Sequence, residues 1–147
     1  MTRRRLASLV ITRPSTGPLV LRFAAGVVFV AFAVGKFTRY DAESGAFDRY
    51  GIPFPEVTTY LVGVLELVGG VLLIVGLVTR PIALALAGNM IGAIATAGRI
   101  DGGPVHLGLA PALLIAMLVL LRTGAGARSL DTRVHAALIG RHAARVV

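Results

Sequence analysis

Hydropathy along this chain comes in long blocks separated by short polar breaks. Four apolar stretches stand out: 18–35 (PLVLRFAAGVVFVAFAVG), 57–78 (VTTYLVGVLELVGGVLLIVGLV), 82–98 (IALALAGNMIGAIATAG) and 105–121 (VHLGLAPALLIAMLVLL). An α-helix rises ~1.5 Å per residue, so a hydrocarbon layer of ~30 Å needs about 17–25 residues. The first two stretches meet that length outright. The third and fourth sit at its lower end and make sense as members of a bundle. The pattern predicts an all-α, four-helix transmembrane bundle, one membrane domain over 1–147 that includes a basic tail over 122–147.

Composition supports a membrane and not a soluble bundle. Hydrophobic residues make up 56% of the 147 positions and charged residues 15%, against ~25% charged in an ordinary soluble domain. The four stretches lack the polar outer faces that a soluble bundle presents to water. The formal charge of +8 would point to nucleic acid in a soluble protein. In a chain this apolar it reports topology, and no nucleic-acid partner is expected.

The position of the charge gives a direction. Arg3, Arg4, Arg5, Arg13, Arg22, Arg80, Arg122, Arg128, Arg133, Arg141 and Arg145 fall at one end of the bundle, eleven in all. Lys36, Arg39, Arg49 and Arg99 are the four at the other, where Asp41, Glu43, Asp48, Glu56 and Asp101 offset them. The positive-inside rule places both termini in the cytoplasm. The opening TRRRLASLVI loosely resembles a twin-arginine signal. Its apolar run is interrupted by Arg13 and Pro14 and no small-residue cleavage site follows, so it reads as a retained segment against the membrane. In the tail, Ser129 can cap a helix with Asp131 in its first turn. Leu130, Val134, Ala137 and Leu138 would then form the apolar face of an interfacial helix.

The longest break, 36–56 (KFTRYDAESGAFDRYGIPFPE), faces outward in this topology. All nine aromatic residues of the chain lie between Phe23 and Tyr60. Phe37, Tyr40, Phe47, Tyr50, Phe54 and Tyr60 suit an aromatic belt at the headgroups, a lid over the outer mouth, or both.

Ionisable groups within spans are costly and tend to face a partner inside the bundle. Glu66 falls near mid-membrane and shares its helix face with Gly63 and Gly70, so it points at another helix. Asn89, beside Ala85, Gly92, Ala93 and Thr96 and the Gly88/Gly92 pair, is its natural hydrogen-bond partner. Arg22 and Lys36, fourteen residues apart, lie on nearly one face of the first span. Arg22 can snorkel to the inner interface or reach Glu66. Lys36 belongs at the outer rim with Arg99, Asp101 and His106. Without a cation beside it, a carboxyl at that depth would be driven toward its neutral form and could exchange protons. The residues read either as a polar track holding four helices together or as a site for a polar headgroup or a proton.

Cysteine is absent, so thiol exchange and thiolate metal sites are excluded. Only His106 of the three histidines lies near a span, which disfavours a bis-histidine haem, and no metal site is expected. Phosphate-binding loops, nucleophile elbows, HExxH and dinucleotide fingerprints are missing. Enzyme activity is expected only as part of a complex.

The blocks LRFAAGVVFVAFAVGKF (21–37), YGIPFP (50–55), VGVLELVGGVLLIVGLVTRP (62–81) and GAGARSLD (124–131) resemble the DoxX family of small four-span bacterial membrane proteins. Arg22, Lys36, Glu66 and Arg80 occupy polar positions of that pattern. The histidine-glycine pair that many members carry late in the first span is Phe32-Ala33 here. The resemblance implies a multi-pass four-helix bundle in the plasma (inner) membrane of a bacterium and an accessory or quinone-contacting role in a redox or oxidative-stress system. Quinone is then the implied ligand, with nothing bound covalently, and the partners are the lipid bilayer and a membrane or extracytoplasmic redox protein. The competing readings are a binding or transport protein for a small lipophilic or acidic molecule, and a scaffold without chemistry. Small-residue surfaces on short helices are also compatible with a homo-oligomer.

Overall fold

The computed structural model describes residues 16–126 and 129–132. Its elements are α1 (Gly17–Thr38), α2 (Tyr40–Arg49), α3 (Pro55–Val75), α4 (Thr79–Ala95), α5 (Ala97–Ile100), a π-helical turn (Val105–Leu109) and α6 (Ala110–Thr123). Four helical segments are long and apolar enough to cross a membrane, α4 running on through α5 and the π-turn leading into α6. The protein is an all-helical integral membrane protein, with no strand among the described residues.

Local chemistry explains where the helices begin and end. Pro18 and Pro55 lie in the first turns of α1 and α3, where a missing N–H costs nothing. The apolar block of the second span runs to Val78, yet α3 stops at Val75. Gly76 takes the left-handed conformation (φ 70°), and its N–H and that of Leu77 turn back onto the Leu72 and Leu73 carbonyls. That is a Schellman-type close, which glycine adopts without the Cβ penalty. At the other end of the bundle, Pro111 has no N–H for the Leu107 carbonyl. The ladder widens there, Ala110 N–H reaching back five residues to Val105, and α6 starts from a π-turn.

The helices pack most extensively in two pairs, α1 with α3 and α4 with α6. Within the first pair the backbones touch. A Cβ on Gly26 would lie 2.6 Å from the Gly70 carbonyl oxygen, and one on Gly70 would lie 2.8 Å from that of Gly26. With no hydrophobic drive between helices in lipid, such close approach is what holds them. Phe29, Leu73, Leu86, Met117 and Leu120 fill the centre, while Val20, Leu84 and Ile115 are more than 60% exposed on the outer faces, as lipid contact requires.

The break at 36–56 is not loop throughout. Residues 40–49 form α2, which packs on α3, joined to α1 by one residue and to α3 by a turn through Gly51 (φ 71°). Tyr40 Oη donates to the Glu56 carbonyl at 2.6 Å. Phe54 and Tyr60 are well exposed, whereas Phe47 and Tyr50 line a cavity.

At the opposite end Ser129 caps residues 130–132 as expected, its Oγ accepting from the Thr132 N–H at 3.2 Å. Asp131 acts elsewhere. Its carboxylate accepts from the Val78 N–H (2.7 Å) and the Thr79 N–H (3.0 Å), and its own N–H donates to the Gly76 carbonyl (2.9 Å). It therefore caps α4, not its own segment. The rest of the interfacial helix anticipated for the tail, and the basic N-terminal segment, lie outside the described residues.

Candidate functional site

The Gly26–Gly70 contact sets the register of two antiparallel helices, and the register decides which charges meet. Measured from that crossing at ~1.5 Å per residue, Glu66 sits about 6 Å and Lys36 about 15 Å toward the α2 end, while Arg22 sits about 6 Å the other way. Helical side chains lean toward their own N-terminus. In α3 that tilts Glu66 toward the α2 end; in α1 it tilts Lys36 and Arg22 away from it. Lys36 and Glu66 therefore lean together, and Arg22 leans away.

The contacts follow from this. Lys36 Nζ donates to Glu66 Oε2 at 2.8 Å, with the two side chains 11% and 5% exposed. Asn89 Nδ2 donates to Glu66 Oε1 at 2.9 Å. The Glu66–Asn89 pairing matches the sequence expectation. The cation differs from the rim position expected for Lys36: this residue is drawn inside and supplies the charge that the carboxylate needs. Both Glu66 oxygens are engaged, and one carboxylate ties α1, α3 and α4 together. The ammonium also lies 5.8 Å from the centre of the Phe32 ring, within cation–π range.

Arg22 belongs to a second cluster. It is 1% exposed and donates through one terminal nitrogen to the Leu73 (3.0 Å) and Ile74 (2.6 Å) carbonyls. A cation satisfying the last carbonyls of a helix is favoured by its dipole. The Asp131 carboxylate lies within electrostatic reach of the guanidinium. A side chain on Gly76 would strike both Arg22 and Ser129. This cluster locks the α3–α4 turn against the GAGARSLD segment. The polar track expected from Lys36 to Arg22 is thus two separate sites.

The Lys36–Glu66–Asn89 network forms part of the wall of a cavity of about 790 Å³ in the half of the bundle beneath α2. A volume of that size falls in the range of small-molecule and cofactor sites, about 300–1,000 Å³. Val62, Ala93 and Val105 add apolar surface, and Arg39, Glu43 and Arg49 stand at its charged rim. A side chamber of about 70 Å³, lined by Phe29, Met90, Leu109 and Leu113, shares Lys36, Glu66 and His106 with it.

Tyr50 and Asp101 bridge α2 to the loop after α5. Tyr50 Oη donates to Asp101 Oδ2, and its ring meets His106 edge-on at 6.3 Å. Burial, reinforced by the hydrogen bond and charge of Asp101, pushes the Tyr50 phenol up to about 12. His106 lines the cavity from the π-turn, its Nδ1 lying 3.3 Å from the Gly102 carbonyl. A carbonyl only accepts, so Nδ1 carries a proton there. Arg99, expected alongside His106, is exposed on α5 and does not line the cavity.

Tyr50 was not singled out for this site. Its place in an aromatic, charged segment was legible in the sequence, but its approach to Asp101, fifty-one residues away, has no local signal. Gly88 and Gly92 also differ from expectation. Both are exposed, both line the cavity, and a Cβ on either would meet nothing within 4 Å.

The family model that matches is DoxX, over residues 17–99. Among relatives, the uncharacterized membrane protein Rv3486 of Mycobacterium tuberculosis is 34% identical over 130 residues, covering 79% of this chain and 80% of its own length. CatD of Bacillus subtilis, provisionally named an oxidoreductase, is 35% identical over 80 residues, covering 54% and 58%. The inner membrane protein YphA of Escherichia coli is 25% identical over 123 residues, covering 78% and 88%. No solved structure matches.

Proposed function

The chain belongs to the DoxX family, and from that premise we propose that it is an accessory subunit of a bacterial membrane redox system that binds a quinone in the cavity beneath α2. In this reading both termini are cytoplasmic, following the eleven-to-four distribution of basic residues, so the cavity lies toward the outer face. The oxidoreductase name carried by the similar Bacillus subtilis protein agrees with a redox setting.

One observation carries the proposal: a buried, hydrogen-bonded Lys36–Glu66–Asn89 network forms part of the wall of a cavity large enough for a small ligand. The donor set suits a quinone ring. The Lys36 ammonium has three N–H bonds and the Asn89 amide two, and each spends one on Glu66. The remaining donors can meet a carbonyl oxygen, while Glu66 keeps both side chains in place and is the nearest proton acceptor. Phe32 and the apolar residues of the side chamber set hydrocarbon beside the polar groups. A bound quinone supplies the two-electron, two-proton chemistry; the electrons pass to or from a redox partner, which this chain binds or adjoins.

A second reading, transport of a small lipophilic or acidic molecule, draws on the charged rim of the same cavity, where Arg39 and Arg49 could attract an anion. Native mass spectrometry of protein released gently from host membranes separates the two. Wild type should carry a quinone mass, and Lys36→Met/Glu66→Gln, which leaves neither charge unpaired and is checked for thermal stability, should lose it. Wild type released bare would overturn the quinone assignment, and pH-dependent uptake of an acidic solute into proteoliposomes would then support transport.

A further inference from the structure

The cavity has two kinds of edge. On one side stand the charged rim and the Tyr50–Asp101 bridge, on the side of α2. On the other it reaches the gap between α3 and α4, whose cavity-lining residues are Thr58, Val62 and Glu66 on α3, Gly88, Asn89, Gly92 and Ala93 on α4, and Thr96 just past its end. Glu66 is the one charged residue among them and sits at the inner end, held by Lys36 and Asn89; nearer α2 these residues are uncharged. The two helices are pinned at the far end by the Gly76 turn and the Asp131 cap, and at mid-height Leu86 packs on Gly69. Toward α2 the Asn89–Glu66 hydrogen bond is the next tie between them, and Gly88 and Gly92 beside it place no side chain in the gap. Gly88 and Gly92 lie at the margin between the lipid-facing surface of α4, marked by Leu84 and Ile91, and the Asn89 side chain that holds Glu66. Any larger residue there would narrow the opening, and the structure leaves room for one.

We infer that the α3–α4 gap is a lateral portal through which a membrane-dissolved ligand with a polar ring and a long hydrocarbon tail enters the cavity, its tail trailing into the bilayer between Val62 and Gly92. This rests on the cavity being the quinone site and adds to it the class of ligand and the route. A polar head delivered through an uncharged gap arrives directly at Asn89 and the Lys36–Glu66 pair. A tail of many isoprene units does not fit within about 790 Å³ together with the ring, and the gap gives it an exit into lipid, where burial of its CH₂ groups is already satisfied.

The test uses reconstituted full-length protein and the double variant Gly88→Leu/Gly92→Leu. Leucine is the better helix former by nearly 1 kcal/mol per position, and the open space around both sites keeps the fold intact. Two probes share one ring: menaquinone-4, which carries an isoprenoid tail, and menadione, which does not. The double variant should take up menaquinone-4 from vesicles about tenfold more slowly than wild type, and its uptake of menadione should slow much less. Equal rates for menaquinone-4, or equal loss of both probes, would overturn the portal.

A second arm does not depend on quinone binding. The chain has no cysteine, so Gly92→Cys accepts a single nitroxide. A portal open to lipid predicts frequent collisions with oxygen and few with a water-soluble nickel chelate; the reverse order would overturn it. Wild type that binds neither quinone while the nitroxide faces lipid would retire the quinone reading and leave the lateral opening standing for another long-tailed ligand.

Discussion

The contact between Gly26 and Gly70 makes a graded prediction about stability. Replacing Gly70 by alanine puts a methyl carbon 2.8 Å from the Gly26 oxygen and 2.9 Å from Val30 Cγ2. Comfortable contact for such atoms begins near about 3.4–3.5 Å, so α1 and α3 must part by roughly 0.6 Å. Backbone cannot give way as a side-chain tip can. A gap of 0.5–1 Å forfeits about a quarter to a half of each dispersion contact along the seam, and overpacking of this kind typically costs about 1–3 kcal/mol. Gly26→Ala should cost more, its Cβ lying 2.6 Å from the Gly70 oxygen and 3.2 Å from the Ile74 nitrogen. Gly63→Ala should cost less, because it meets the Phe37 ring at 3.0 Å, and a ring can turn. Gly88→Ala meets nothing within 4 Å and should be neutral or stabilising by up to about 1 kcal/mol from helix propensity. Reversible unfolding in mixed SDS micelles measures the series. The expected order of loss is Gly26, Gly70, Gly63, Gly88. Gly70→Ala as stable as Gly88→Ala would refute the claim that backbone contact holds α1 to α3.

Three further outcomes follow from the polar contacts. Lys36→Met leaves the Glu66 carboxylate without its cation and should destabilise by about 3–5 kcal/mol, whereas Lys36→Met with Glu66→Gln should recover most of that loss; a double variant no better than the single would deny the pairing. Asp131→Ala frees the Val78 and Thr79 N–H groups and should cost about 1–2 kcal/mol in the same assay, while Asp131→Asn, which keeps one acceptor oxygen, should cost less. In a tyrosinate absorbance titration one phenol should ionise only near pH 12 instead of 10. Tyr50→Phe should abolish that phase and Asp101→Asn should move it down. Because the folded value is the higher one, the Tyr50 contribution to α2 docking is complete below pH 10 and is lost as pH rises from 10 through about 12; a phase unaffected by Tyr50→Phe would reassign it.

Part of the candidate site was legible before any fold. Glu66 amid Gly63 and Gly70 had to face a helix, and Asn89 was the available amide on the third span; the two do meet at 2.9 Å. Two cations on one face of α1 were equally legible as candidates, and nothing in their spacing chose between them. The choice follows from the Gly26–Gly70 register and the lean of side chains in antiparallel helices. Asp131 shows the same limit. Its sequence context suggests a first-turn acid for its own segment, but the chain folds back so that Val78 and Thr79, fifty-three and fifty-two residues away, offer unpaired N–H groups.

What the sequence by itself determined is what depends on neighbours along the chain: four apolar lengths matched to a bilayer, the proline and glycine punctuation, and the rule that a buried carboxylate needs a cation. Helix ends moved by no more than three residues between pattern and structure, because span length is a local property. Tertiary structure decided the rest: which cation Glu66 holds, that 40–49 is a helix packed on α3, and that Gly88 and Gly92 border a cavity instead of a helix seam. These depend on rotation and register between segments far apart in sequence. They are set where two backbones touch, and a residue pattern on one helix does not encode where the other helix will lie.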